Sequence, residues 1–279
     1  MSERWRLLIE CADEEGLVHK TTGVLFRAKC NVMVNHEFAD DQAGRFFMRT
    51  EFLGEIDRDQ ILADMAAVLP PNPRLKLVQP GRARIVVLGS KEHHCVTDIL
   101  TRCAFSELDA EVVAVISNHD VLRAFVERAD LPFHLVSHEN VSREEQERGV
   151  SDLLEELDAD YIVLAKYMRI LSPEFVARFA NRIINIHHSF LPAFIGARPY
   201  HQAWERGVKV IGATAHFVNE ELDQGPIIEQ QVITVDHSHG PEDMARAGRD
   251  VERLALSKAM RLVIEERVFL NGHRTVIFD

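Results

Sequence analysis

The sequence predicts an α/β chain in two parts: a small βαββαβ unit over residues 5–80 and a doubly wound parallel sheet over residues 84–279. Three observations predict it. Up to Val78, strand-like and helix-like patterns follow in the order strand, helix, strand, strand, helix, strand. From Arg84 onward, short apolar runs alternate with helical stretches, the grammar of parallel strands joined by crossover helices. Between them, Gln79-Pro80-Gly81-Arg82-Ala83 fits neither pattern and reads as a boundary.

Trp5–Ala12 reads as the first strand, and Asp13-Glu14-Glu15-Gly16 as a turn into a helix over Leu17–Lys29 with Leu17, Val18, Val24 and Leu25 at helical spacing. Val32–Phe38 alternates as a strand, Asp40-Asp41-Gln42-Ala43-Gly44 is a hairpin signal, and Phe46–Leu53 returns. Asp57 caps a helix running through Val68, and Leu75–Val78 closes the unit as a strand. In the second part the strands fall on Ile85–Leu88, Val112–Ile116, His134–Val136, Tyr161–Leu164 and Ile183–Ile186. Ile211–Val218 and Ile227–Val235 read as a later hairpin pair, and Pro241 starts a final helix to about Arg267, proline being favoured in a first turn.

The 279 residues and a hydrophobic fraction of 46% support a real core. A formal net charge of −12 argues against a nucleic-acid partner, because gripping phosphates needs a basic surface. No apolar run approaches bilayer thickness, so no membrane partner is expected. Cys11, Cys30, Cys95 and Cys103 form no CxxC pair and read as reduced thiols of a cytoplasmic protein.

The densest chemistry lies in Asn185-Ile186-His187-His188-Ser189-Phe190-Leu191-Pro192, at the C-terminal end of an expected strand, where open parallel sheets bind ligands. Asn185 and His187 are two apart, so both point to one face of an extended backbone. An amide donor and an imidazole there can hold an oxygen that becomes negative. Downstream, Asp223 stands before Gly225-Pro226, where a carboxylate could orient or protonate a histidine. Taken singly, each has a plainer reading: Asn185 closes a strand, His187 fills a core, Asp223 forms a turn.

Together the two segments closely resemble the formyltransferase family that uses 10-formyltetrahydrofolate, whose pattern is Asn-x-His-x-Ser-x-Leu-Pro followed by Asp-x-Gly at a strand start. The resemblance spans about residues 84 to 279 and implies a Rossmann-like formyltransferase fold with Asn185, His187 and Asp223 catalytic. Ala165-Lys166-Tyr167-Met168-Arg169-Ile170-Leu171 is similar to the family's pterin loop, which implies that Met168, Arg169, Ile170 and Leu171 bind substrate. The plainer reading makes Met168 and Leu171 core residues. Gly212–Phe217 resembles the strand lining the same cleft, which implicates His216, and the run from His187 to Tyr200 adds His188 and Gly196.

Residues 5–80 resemble an ACT domain, a ferredoxin-like module, through the Asp13–Leu17 turn and the βαββαβ order. That resemblance implies an effector site at Asp13, Gly16 and Leu17, an amino acid such as methionine or glycine as effector, and a homo-oligomer, dimer or tetramer. A plain dimerisation module is the competing reading.

Family members differ in what attacks the formyl carbon. Members acting on a glycinamide ribonucleotide carry a Gly- and Ser-rich phosphate loop after the first strand, whereas this chain has Gly89-Ser90-Lys91-Glu92-His93-His94-Cys95. An ACT-like unit joined to this domain, with His188 where many transferases have proline, resembles the branch in which water attacks. It implies hydrolysis of 10-formyltetrahydrofolate to formate and tetrahydrofolate, supplying formate for purine synthesis and balancing one-carbon pools. The folate is then the substrate and no cofactor is expected. Alternatives are formyl transfer to an amine acceptor and a non-catalytic amino-acid sensor. The 14 histidines invite a metal enzyme, but His93-His94, His187-His188 and His237/His239 lack zinc-helix spacing, so no metal is expected.

Overall fold

The computed structural model describes residues 3–193 and 199–279. Gly196, expected to touch substrate, lies outside the described residues. The chain divides into two compact units. One runs to Gly81 and includes Glu265–Asn271 and Val276–Asp279; the other comprises Arg82–Ile264 and Gly272–Thr275.

The first unit is β1 (Glu3–Ala12), α1 (Leu17–Arg27), β2 (Asn31–Asp40), β3 (Arg45–Gly54), α2 (Arg58–Val68) and β4 (Arg74–Val78). Its antiparallel sheet has the order β2-β3-β1-β4. Alternate β1 residues Trp5, Leu7, Ile9 and Cys11 pack with Leu17, Val24 and Leu25 of α1 and Ile61 and Met65 of α2. The Asp57 carboxylate accepts from the Asp59 and Gln60 N–H groups and so starts α2. Gly16 caps α1 at φ 82, a left-handed conformation that glycine adopts without steric cost.

The second unit contains β5 (Ala83–Gly89), α3 (His94–Ala104), β6 (Ala110–Ser117), α4 (Arg123–Glu127), β7 (Phe133–Leu135), α5 (Arg143–Glu156) and β8 (Tyr161–Ala165). It continues through α6 (Pro173–Arg178), β9 (Ile183–His187), α7 (Pro199–Glu205), β10 (Val210–Phe217), β11 (Ile227–Thr234) and α8 (Pro241–Ile264). The sheet order is β11-β10-β9-β8-β5-β6-β7. The strands from β9 to β7 pair in parallel, β10 and β11 form the expected antiparallel hairpin, and β10 also pairs antiparallel with β9, so the parallel sheet of the sequence reading is corrected to one with an antiparallel edge. The order turns back between β5 and β8, which opens a crevice at their C-terminal ends.

The final helix ends at Ile264, three residues before the expected Arg267, and the chain adds a hairpin of β12 (Val268–Asn271) and β13 (Arg274–Ile277) that the sequence reading missed. Phe269 and Phe278 pack with Leu8 and Phe47 on the second face of the first unit's sheet. Buried Arg49 donates to the Glu265 and Glu266 carbonyls, fixing the returning chain. The single block 84–279 is corrected accordingly, because the tail buries its aromatics in the first unit. Asn271-Gly272 between Val268-Phe269-Leu270 and Thr275-Val276-Ile277 was the legible turn signal.

Candidate active site

β9 carries Asn185 and His187 to the C-terminal edge of the sheet. Beside it, β10 places His216 opposite Asn185 and Thr214 opposite His187. A bulge between Ala215 and His216 sets the local twist. The Thr214 hydroxyl donates to the Ser189 carbonyl and accepts from the Leu191 N–H and the Gln230 amide, so the loop after β9 is pinned to its neighbour.

The structure brings the expected trio together. His187 Nδ1 lies 3.2 Å from Asp223 Oδ1, and the other ring nitrogen, Nε2, is buried with no hydrogen-bond partner among the described residues. His216 Nδ1 donates to the Phe217 carbonyl at 2.8 Å, which leaves Nε2 as an acceptor. The group facing it at 3.1 Å must therefore be the Asn185 –NH2. His216 thus fixes which way the Asn185 amide points and leaves its second N–H for a ligand. Burial lowers the His216 pKa, keeping the ring neutral for that role. Burial pushes the Asp223 carboxyl up, but the His187 hydrogen bond and charge, backed by His216 and His188, hold it below its ordinary value.

The position of Asp223 has a local cause. Asp223 adopts φ 57, a left-handed conformation that aspartate tolerates better than most residues. Gly225 packs so closely that a Cβ would lie 1.7 Å from the Phe217 carbonyl oxygen. The Phe217 N–H in turn donates to the Pro226 carbonyl. Only glycine lets the turn carrying Asp223 lie against the strand carrying His216.

The pterin-loop residues fall at the end of β8. Met168 and Ile170 are exposed, 63% and 61%, so the plainer reading of Met168 as core is corrected, whereas Leu171 packs on the core. Arg169 is half-buried. The Ser90 hydroxyl accepts from the Met168 N–H and donates to Asn118 Oδ1, tying this loop to β5 and β6. In the first unit, Asp13 and Gly16 are exposed, whereas Leu17 is buried in the core.

The sequence reading missed a buried group beside the trio. Glu252, on α8 and 1% exposed, accepts from His94 Nε2 at 2.7 Å and Tyr200 Oη at 2.8 Å, and Lys166 Nζ is 3.3 Å away. A charged residue within the apolar stripe Val251, Ala255, Leu256 and Ala259 was its signal. His94, Cys95 and Glu252 lie close enough to hold a cation, yet the carboxylate already has these protein partners, one of them an ammonium. Burial raises the Glu252 pKa, but its partners outweigh this and hold it at about 2, against an ordinary 4.5. A depressed carboxyl contributes stability that is full above the unfolded value and is lost as pH falls through the folded one. Stability should therefore decline between pH 4.5 and about 2, and Glu252→Gln should flatten that decline in urea titrations at stepped pH. An unchanged slope would reject the assignment.

Comparison with known proteins bears on this geometry. The formyl transferase family model matches residues 83–260. The chain is 55% identical over 267 residues to the formyltetrahydrofolate deformylase of Escherichia coli strain K12, covering 96% of this chain and 95% of that one. It is 42% identical over 284 residues to the protein of the same name from Bacillus subtilis strain 168, covering 99% and 94%. The crystal structure of a formyltetrahydrofolate deformylase from Pseudomonas syringae pv. tomato superposes with a TM-score of 0.95 at 41% identity, covering 99% and 95%. A glycinamide ribonucleotide transformylase from Symbiobacterium toebii superposes with a TM-score of 0.68 at 34% identity, over 71% of this chain and 95% of that one. The chain belongs to the formyl transferase family, among the formyltetrahydrofolate deformylases.

Proposed function

We propose that this chain is a hydrolase that converts 10-formyltetrahydrofolate and water to tetrahydrofolate and formate. Its nearly full-length likeness to proteins named for that reaction carries the reading. The convergence of Asn185, His187 and Asp223 supports it. A formamide carbonyl is unreactive, so the site must stabilise the oxygen that turns negative and take a proton from water. The free Asn185 N–H and His187 Nε2 face that oxygen in this reading. Asp223 holds His187 through Nδ1, and the pair takes the water's proton. The C–N10 bond then breaks, that proton goes to N10, and the acid proton of the product goes to solvent. No electron changes hands, so the reaction calls for no redox cofactor, and the folate is substrate. The exposed Met168 and Ile170, with Arg169 and Leu171, receive the pterin.

Transfer to an amine is the second reading. The head of α3, where ribonucleotide-using relatives need a phosphate loop, carries His94 bonded to buried Glu252, which favours water. The test is incubation with 10-formyltetrahydrofolate, with and without amine acceptors, while formate is measured. Formate release that ignores the amines supports hydrolysis; release only with formylated amine overturns it.

For the first unit we propose an ACT-like module that binds an amino acid such as methionine or glycine and pairs chains into a dimer or tetramer. The edge strand β2 supports pairing, with Met33 and Phe38 exposed at 48% and 44%. Met33→Lys combined with Phe38→Lys should shift the full chain toward monomer in light scattering and blunt any amino-acid effect on rate. An unshifted mass would sink the assembly proposal.

A further inference from the structure

Glu252 has no assigned part in the reaction, yet its surroundings point at the site. Its three donors arrive from separate places: His94 heads α3, Lys166 directly follows β8 and Tyr200 sits on α7. On α8, one turn before Glu252, Gly248 makes the space for Tyr200, since a Cβ there would fall 2.0 Å from the phenol oxygen. Burial and the neighbouring carboxylate push the Tyr200 phenol up, so it remains a donor. Removing a carboxylate from water costs several kcal/mol, and apolar residues of similar volume often pack as well or better. The placement of the ion therefore calls for a reason.

The reason lies next to His188. The Tyr200 ring centroid is 6.2 Å from that of His188, and His188 in turn stacks on His187 at 5.1 Å. His188 is thus held between the catalytic histidine and a tyrosine anchored on Glu252. Lys166, the other arm of the cluster, takes φ 62 two residues before Met168. We propose that Glu252, Tyr200 and Lys166 are positioning residues for hydrolysis: they hold His188 so that it offers a ring nitrogen as hydrogen-bond acceptor to the attacking water. This rests on the reaction proposed above. The water's proton still passes to the His187–Asp223 pair, and His188 only orients it. The charged and titratable groups facing His188 are Lys166, Glu252, His187, Asp223 and Tyr200. Burial, then Lys166, hold His188 at about 4, so its ring is neutral at pH 7.

The experiment uses the full chain, 10-formyltetrahydrofolate and formate release. Tyr200→Phe deletes only the hydroxyl and should lower kcat about tenfold with KM nearly unchanged, the pattern of an interaction that matters in the transition state. Lys166→Met removes the cation that disfavours a charged His188, so the acid limb of kcat against pH should move up by about one unit. The same substitution in a His188→Gln background should leave the limb in place. A raised KM with unchanged kcat would assign the cluster to folate binding and overturn the proposal. So would a Tyr200→Phe variant with wild-type kcat, or a limb that moves equally without His188. Absence of formate from the unaltered protein would instead refute the proposed reaction.

Discussion

Asp223→Asn is expected to lower formate release by about a hundred- to a thousandfold, the scale of losing one preorganised charge or donor at an oxyanion site. The substitution keeps the shape of the side chain. Its oxygen can still accept from His187 Nδ1, now 3.2 Å from the carboxylate, but it no longer stabilises a charged imidazole or takes up a proton. His187→Ala removes the buried Nε2 as well and should fall as far. The double variant should fall little further, because groups acting as a unit are strongly non-additive. Binding of a folate analogue, followed by fluorescence, should survive within about tenfold, or roughly 1.4 kcal/mol. A near wild-type rate in Asp223→Asn would exclude the mechanism. Joint loss of binding and thermal stability would make Asp223 a turn residue and nothing more.

Gly225→Ala is expected to damage catalysis from outside the trio. A Cβ would lie 1.7 Å from the Phe217 carbonyl oxygen and 3.2 Å from His216 Nδ1, and the nearest atom is backbone, so the turn itself must move. That turn carries Asp223, while Phe217 holds His216 in the tautomer that orients Asn185. A displacement near 1 Å at a catalytic group can cost about a hundredfold in rate. The strain should also cost about 1–3 kcal/mol of stability. Steady-state formate release and urea titration measure the two effects. Full activity with an unchanged urea midpoint would show that the turn can yield, and the packing argument would fail.

Most of the strand pattern was legible because each strand is a short apolar run ended by turn chemistry. Trp5–Ala12 and Ile183–Ile186 came within two residues of the observed strands at each end. The hairpin of β10 and β11 was legible, but the antiparallel pairing of β10 with β9 was not, because apolar alternation carries no information on whether a neighbour runs parallel. The final hairpin was missed although Asn271-Gly272 marked it, since the pattern of the long helix was carried past Ile264. In the site, Asn185, His187 and Asp223 were singled out by the resemblance of their two segments to the formyltransferase pattern, since each residue taken alone had a plainer reading. The tautomer logic that makes His216 the orienter of Asn185 depends on the Phe217 carbonyl, which no spacing rule reveals. Glu252 was overlooked for a similar reason. One carboxylate in an apolar helix face becomes informative only once His94, Lys166 and Tyr200, each from another part of the chain, are seen to meet it.

The returning tail also governs the order in which the molecule can be finished during synthesis. Leu8 and Phe47 are made well before Phe269 and Phe278, which supply their aromatic cover. At roughly 5–20 residues per second, the ribosome leaves that face of the sheet bare for tens of seconds while the intervening residues are made. Of the two units, the one that emerges earlier is therefore sealed later. A premature stop just before Phe269 would leave the sheet face at Leu8 and Phe47 bare, and it is there, rather than at the truncated end, that chaperones should bind.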